Sequence, residues 1–137
     1  MLQVPVQDAL VTSKDGREER LQREQFYVPG SVLEARIDTS HPVAAGLNAR
    51  TDVMFDESPV FKVAPGTPGV RAFAWYGKDP LRSGWAWGQK YLDGGVIAVE
   101  ARMGKGRAVL YSAEILQRAQ PHGTFKLLFN SIYYRKN

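Results

Sequence analysis

At 137 residues the chain can bury one sizeable core but not two ordinary ones, and an apolar share of 44% against 23% charged excludes a disordered polyelectrolyte. The absence of cysteine excludes disulfides, thiolate nucleophiles and cysteine-ligated metals. A formal charge of +4 is spread too evenly for a nucleic-acid surface, since Arg17, Arg20 and Arg23 alternate with Asp15, Glu18, Glu19 and Glu24.

Residues 1–26 read as a polar N-terminal arm, partly helical or flexible. After Val11 its only large apolar side chains are Leu21 and Phe26, and Glu18 with Gln22 and Glu19 with Arg23 stand at helical spacing without requiring a helix. Residues 1–6 lack the basic start and apolar centre of a signal peptide, and no apolar run approaches the ~18 residues of a membrane span. The expectation is therefore a cytoplasmic protein, or a periplasmic or secreted one whose export signal lies upstream on a longer precursor.

Residues 27–137 read as a single module. Pro29-Gly30 is turn chemistry, and Leu33, Ala35 and Ile37 alternate with Glu34 and Arg36, which predicts a half-buried strand over residues 31–37. Residues 38–42 stop it, because Pro42 has no N–H for a ladder and Asp38, Thr39 and Ser40 bond local backbone. Residues 43–47 then form a helical turn or a loop. Short strands follow at 53–55 and 59–63, and a longer one at 70–76 carries Phe73 and Trp75 on one face and Val70, Ala72, Ala74 and Tyr76 on the other, ending at residues 77–80. Residues 85–93 allow a helical turn. Strands at 96–102 and 107–111 are joined by Gly104-Lys105-Gly106, a hairpin linker. Thr124 is a natural N-cap for a final helix whose apolar stripe is Phe125, Leu128, Phe129 and Ile132.

The chain has only two histidines, His41 and His122. Zinc usually takes three or four His, Asp, Glu or Cys ligands, often with a short-spaced pair, and the only acidic neighbour at such spacing is Asp38, three residues before His41. Asp38, Ser40 and His41 are too close in sequence to present a triad easily, and no Gly-x-Ser-x-Gly elbow occurs. Asp56 with Glu57, and Glu100 with Glu114, are carboxylate pairs without a spacing signal. The Gly104 to Arg107 run lacks the phosphate-loop pattern and leads into a strand, so it reads as a turn. Trp85, Trp87 and Tyr91, with Trp75 and Tyr76, can line a sugar or peptide groove or simply fill a core.

Residues 27–47, Ser58-Pro-Val-Phe, Ser83-Gly-Trp, Gly104-Lys-Gly-Arg and Gln120-Pro-His-Gly-Thr-Phe, in that order, resemble the C-terminal region of bacterial zinc-carboxypeptidase-like proteins. In that family a carboxypeptidase A-type metallopeptidase domain precedes a class I glutamine-amidotransferase-like module. The resemblance spans about residues 25–134 and implies that zinc and the catalytic residues, a His-x-x-Glu pair among them, belong to the upstream domain. No catalytic or metal-binding residue carries over to this chain, and the cysteine nucleophile of the amidotransferases is absent.

The fold expected is α+β: a mixed, mostly antiparallel sheet of about five or six short strands with a C-terminal helix packed on it, the second half of an α/β amidotransferase-like domain. The function expected is that of a non-catalytic accessory module of a metallopeptidase. It would carry no cofactor, bind neither nucleic acid nor membrane, and meet the upstream peptidase domain or a second copy through an exposed sheet edge. The alternative is an independent peptide- or glycan-binding domain, or a hydrolase using His41 and His122. The candidate binding residues are His41, Glu57, Trp85, Trp87, Tyr91 and His122.

Overall fold

A computed structural model of the chain describes residues 21–134 and the backbone of 7–8, 11–12 and 18–19. The described pieces of the arm are β1 (Gln7–Asp8), β2 (Val11–Thr12) and β3 (Glu18–Glu19), with β2 and β3 paired to each other, so Glu18 and Glu19 are in a strand rather than a helix. The remainder of residues 1–20 lies outside the described residues.

The module contributes β4 (Ser31–Ile37), β5 (Arg50–Phe55), β6 (Phe61–Lys62), β7 (Val70–Ser83), β8 (Val96–Met103), β9 (Gly106–Tyr111) and α1 (Phe125–Tyr133). Its six strands and β1 make one sheet in which every described pairing is antiparallel, with the order β1-β6-β8-β7-β4-β5. β9 runs along the same edge of β8 that β6 meets at Val96. The protein is thus α+β, a sheet with one C-terminal helix packed on it. Among the described residues no helix is long and apolar enough to cross a membrane.

β4 shows the alternation its sequence predicts, with Ser31, Leu33, Ala35 and Ile37 buried and the residues between them less so. β8 is different: Val96, Ile97, Ala98 and Val99 are buried in succession, the signature of a strand covered on both faces. Their neighbours Phe55, Phe73, Tyr76, Leu92 and Leu127 complete the core.

β7 departs from expectation in two ways. It does not end at residues 77–80 but runs on to Ser83, because Leu81 and Ser83 pair with Leu33 and Val32 while Tyr76 pairs with Ala35. Residues 77–80 are the surplus in that register, a bulge in which Pro80 needs no ladder donor. A second register shift against β8, between Ala72 and Trp75, breaks the strict alternation, so Phe73, Ala74 and Tyr76 are all buried and Trp75 is only partly so.

The helix also turns differently. The predicted stripe is docked only in part: Leu127 is buried, Leu128 packs against the core and Phe125 is half-buried, whereas Phe129 is exposed and Ile132 and Tyr133 are 62% and 79% exposed. Polar tethers set this rotation. Asn130 Nδ2 donates to the Val43 and Ala45 carbonyls, Lys126 Nζ donates to Gly46 O at 2.7 Å, and the Tyr111 hydroxyl reaches Leu127 O and Ser131 Oγ. Burial of Leu127 adds about 2 kcal/mol to the same orientation. Thr124 does not cap α1, since its hydroxyl contacts the Ile115 and Pro121 carbonyls instead.

Candidate functional site

His41 stands where β4 gives way to a 3-10 turn at Pro42–Ala44, and its ring is 1% exposed. It stacks on Phe73 with centroids 4.2 Å apart, and Tyr134 meets it edge-on. Nδ1 accepts from the Val43 N–H, which places the proton of the neutral ring on Nε2, 3.2 Å from Glu100 Oε2. Burial holds the imidazole pKa below its usual range, against the opposing pull of the Glu100 carboxylate. Arg107 lies 3.6 Å from the other Glu100 oxygen and stacks over Tyr134.

Asp38 and Ser40 do not join this histidine in a triad. Ser40 Oγ donates to Asp38 Oδ1 at 2.6 Å, and Arg71 donates to both Asp38 Oδ2 and Ser40 Oγ. The Ser40 hydroxyl and then the Arg71 guanidinium hold the Asp38 carboxyl down at about 2. A serine bonded to a carboxylate, beside a histidine whose Nδ1 faces backbone, has no base to activate it.

His122 is exposed and lines a groove of about 850 Å³ between β5 and residues 117–126. Its only ring contact among the described residues is Phe125, at 5.1 Å. Cations dominate the walls: Arg50, Arg82, Arg118 and Lys126 face one carboxylate, Asp52.

Glu57 and Tyr91 line a second groove of about 500 Å³. There the Glu57 carboxylate is taken by Arg23 at 2.9 Å, and Arg23 also covers the Tyr27 ring. Trp85 and Trp87 line neither groove, although the two residues are 62% and 54% exposed. Their backbones are pinned, Trp85 N–H by Ser31 Oγ and Trp87 by a two-bond bridge to Tyr27, and the Trp87 indole donates to Glu24 O. Gly88 permits this approach, because its φ of 74° suits glycine and a Cβ there would collide with Gln25 O.

The six candidate residues therefore occupy separate places: His41 in the core, His122 in one groove, Glu57 and Tyr91 in another, and the two tryptophans on the open surface. Among the described residues no group of three or more His, Asp or Glu side chains is placed to hold a metal. Sequence reasoning missed Glu100 as the partner of His41 and the cations of the large groove. The one signal for Glu100 was a single carboxylate after an apolar run of four in its strand; the groove has none, because its walls meet only in the fold. No protein-family model, curated protein or solved structure matches the chain.

Proposed function

We propose that the chain is a non-catalytic docking module of a zinc-carboxypeptidase-like metallopeptidase, the second half of an amidotransferase-like domain, with zinc confined to the peptidase domain upstream. The observation that supports this reading is the outward row Phe129, Ile132 and Tyr133 on α1, which folding leaves uncovered among the described residues. Three partly exposed side chains offer roughly 400 Å². That is about half of what each partner of a free-standing dimer usually buries. A domain on the same polypeptide needs less area, since the linker already supplies the effective concentration.

The test has a genetic and a physical arm. The reading frame directly upstream should encode a domain carrying His-x-x-Glu. In that longer protein, Phe129→Ser with Ile132→Ser should speed proteolytic cleavage between the domains by about tenfold while leaving bound zinc unchanged. A stop codon followed by an independent start, or cleavage unaffected by the substitutions, defeats the proposal. A second reading, a free-standing peptide- or glycan-binding domain, is favoured by the exposed rings of Trp85 and Trp87 alone; quenching of their fluorescence by an oligosaccharide or peptide would support it.

A further inference from the structure

The groove between β5 and residues 117–126 has an excess of positive charge that the fold does not neutralise. Glu34 pairs with both Arg50 and Arg82, and Asp52 lies 3.6 Å from Arg82 Nε. These two carboxylates offset two of the four cations. Arg118 makes no ion pair among the described residues, and the Lys126 ammonium is met only by the Gly46 carbonyl. Two full charges are left facing the groove.

The same groove offers main-chain recognition. β5 is the outermost strand, beyond β4. Ile37 N–H donates to Ala49 O, so in the antiparallel register Thr51, Val53 and Phe55 turn their main-chain groups toward β4, and Arg50, Asp52 and Met54 turn theirs away. Met54 O is used by the Glu114 N–H. Asp52, which lines the groove, keeps an N–H and a C=O without a backbone partner among the described residues. Asn48, Gln117 and Gln120 add neutral amides to its lining.

Arg118 and Ala119 in this wall have φ of 48° and 53°, consecutive left-handed residues that are not glycine. Such backbone costs of order 1 kcal/mol per residue and persists where surrounding structure imposes it. The two cations left over belong to different elements of the wall opposite β5, Arg118 to the turn at 117–119 and Lys126 to α1, which suits a chain bearing several carboxylates better than a single small anion.

We infer that this groove binds an extended peptide segment rich in Asp or Glu, its carboxylates met by Arg118 and Lys126 and its backbone by Asp52 and the amide side chains. None of Phe129, Ile132 and Tyr133 takes part, so the inference stands or falls separately from docking through α1.

A fluorescein-labelled peptide of alternating Glu and Val, titrated with the protein and read by anisotropy, tests it. Binding should weaken by about tenfold for Arg118→Glu and for Lys126→Glu. It should change less than about twofold for Lys105→Glu, an equal charge change on the β8–β9 turn. Arg118→Glu breaks no described contact, which keeps the test valid should Lys126→Glu fail to fold. Absence of binding at millimolar protein, an equal loss with Lys105→Glu, or displacement by inorganic phosphate but not by chloride of equal ionic strength would each overturn the inference.

Discussion

His41 and His122 are the same side chain in opposite surroundings. His41 is packed between Phe73 and Tyr134 with both ring nitrogens committed, one to backbone and one toward Glu100. His122 sits in the open on a groove and makes no ion pair among the described residues. A general base needs a partner to tune it and a path for substrate to reach it. One histidine has the partner without the path, and the other has the path without the partner. The difference teaches that polar order in this fold has been spent on packing, while its accessible charge is arranged for contact.

The largest effect that sharpens this contrast is on stability. His41→Ala should cost about 3 kcal/mol, since it removes a stacked buried ring and strands the Val43 N–H and Glu100. His122→Ala should stay within about 0.5 kcal/mol. Urea unfolding of the two variants compares them directly, and equal losses would break the contrast.

The next effect is on pH dependence. Because the folded pKa of His41 lies below the ordinary 6.5, the unfolded chain takes up that proton first. The stability is fully present above 6.5 and declines as pH falls below it, with Glu100, Asp38 and Arg71 as the charges that modulate the imidazole. Asp38, at about 2 in the fold against 3.8, should add a further decline as pH drops from about 4 toward 2. Unfolding measured across this range should show both phases, with His41→Gln removing the upper one. A rise in stability below pH 6.5 would mean that the buried pair is charged.

The smallest effect concerns the groove wall. Arg118→Gly relieves a left-handed side chain but adds backbone entropy to the unfolded state, for a net gain of about 0.5 kcal/mol. The urea midpoint should rise slightly with an unchanged slope, while affinity for acidic peptide falls. A loss of stability would show that Arg118 holds the wall by contact rather than by charge.

Much of the fold was legible where local pattern and pairing agree. Residues 31–37 alternate cleanly and form β4, and Gly104, with φ of 60°, turns β8 into β9. The continuation of β7 was hidden because Gly77 and Pro80 look like terminators until β4 supplies a partner beyond them. The helix kept its place and the Leu128 part of its face but turned Phe129 and Ile132 outward, since Asn130 and Lys126 are held by carbonyls at residues 43–46 that no helical periodicity can anticipate. Thr124 had the chemistry of a cap, yet a carbonyl from Ile115 claimed its hydroxyl. The candidate sites suffered most for the same reason: short-range spacing brings Asp38, Ser40 and His41 together, whereas Glu100, Arg118 and Lys126 meet their surroundings only through tertiary structure.

β7 carries a consequence for how the molecule comes apart. It pairs with β4 on one side and β8 on the other, and among the described strands it is the only one that joins the two halves of the sheet. Without it, the sheet separates into the β4–β5 hairpin and the β8–β9 hairpin with the short β6 and β1 beside it, and two-stranded ribbons of this kind barely hold in water. Mechanical load or thermal loosening at the centre of β7 therefore passes to both halves at once, and the double register shift around residues 72–80 marks where that shared seam is thinnest.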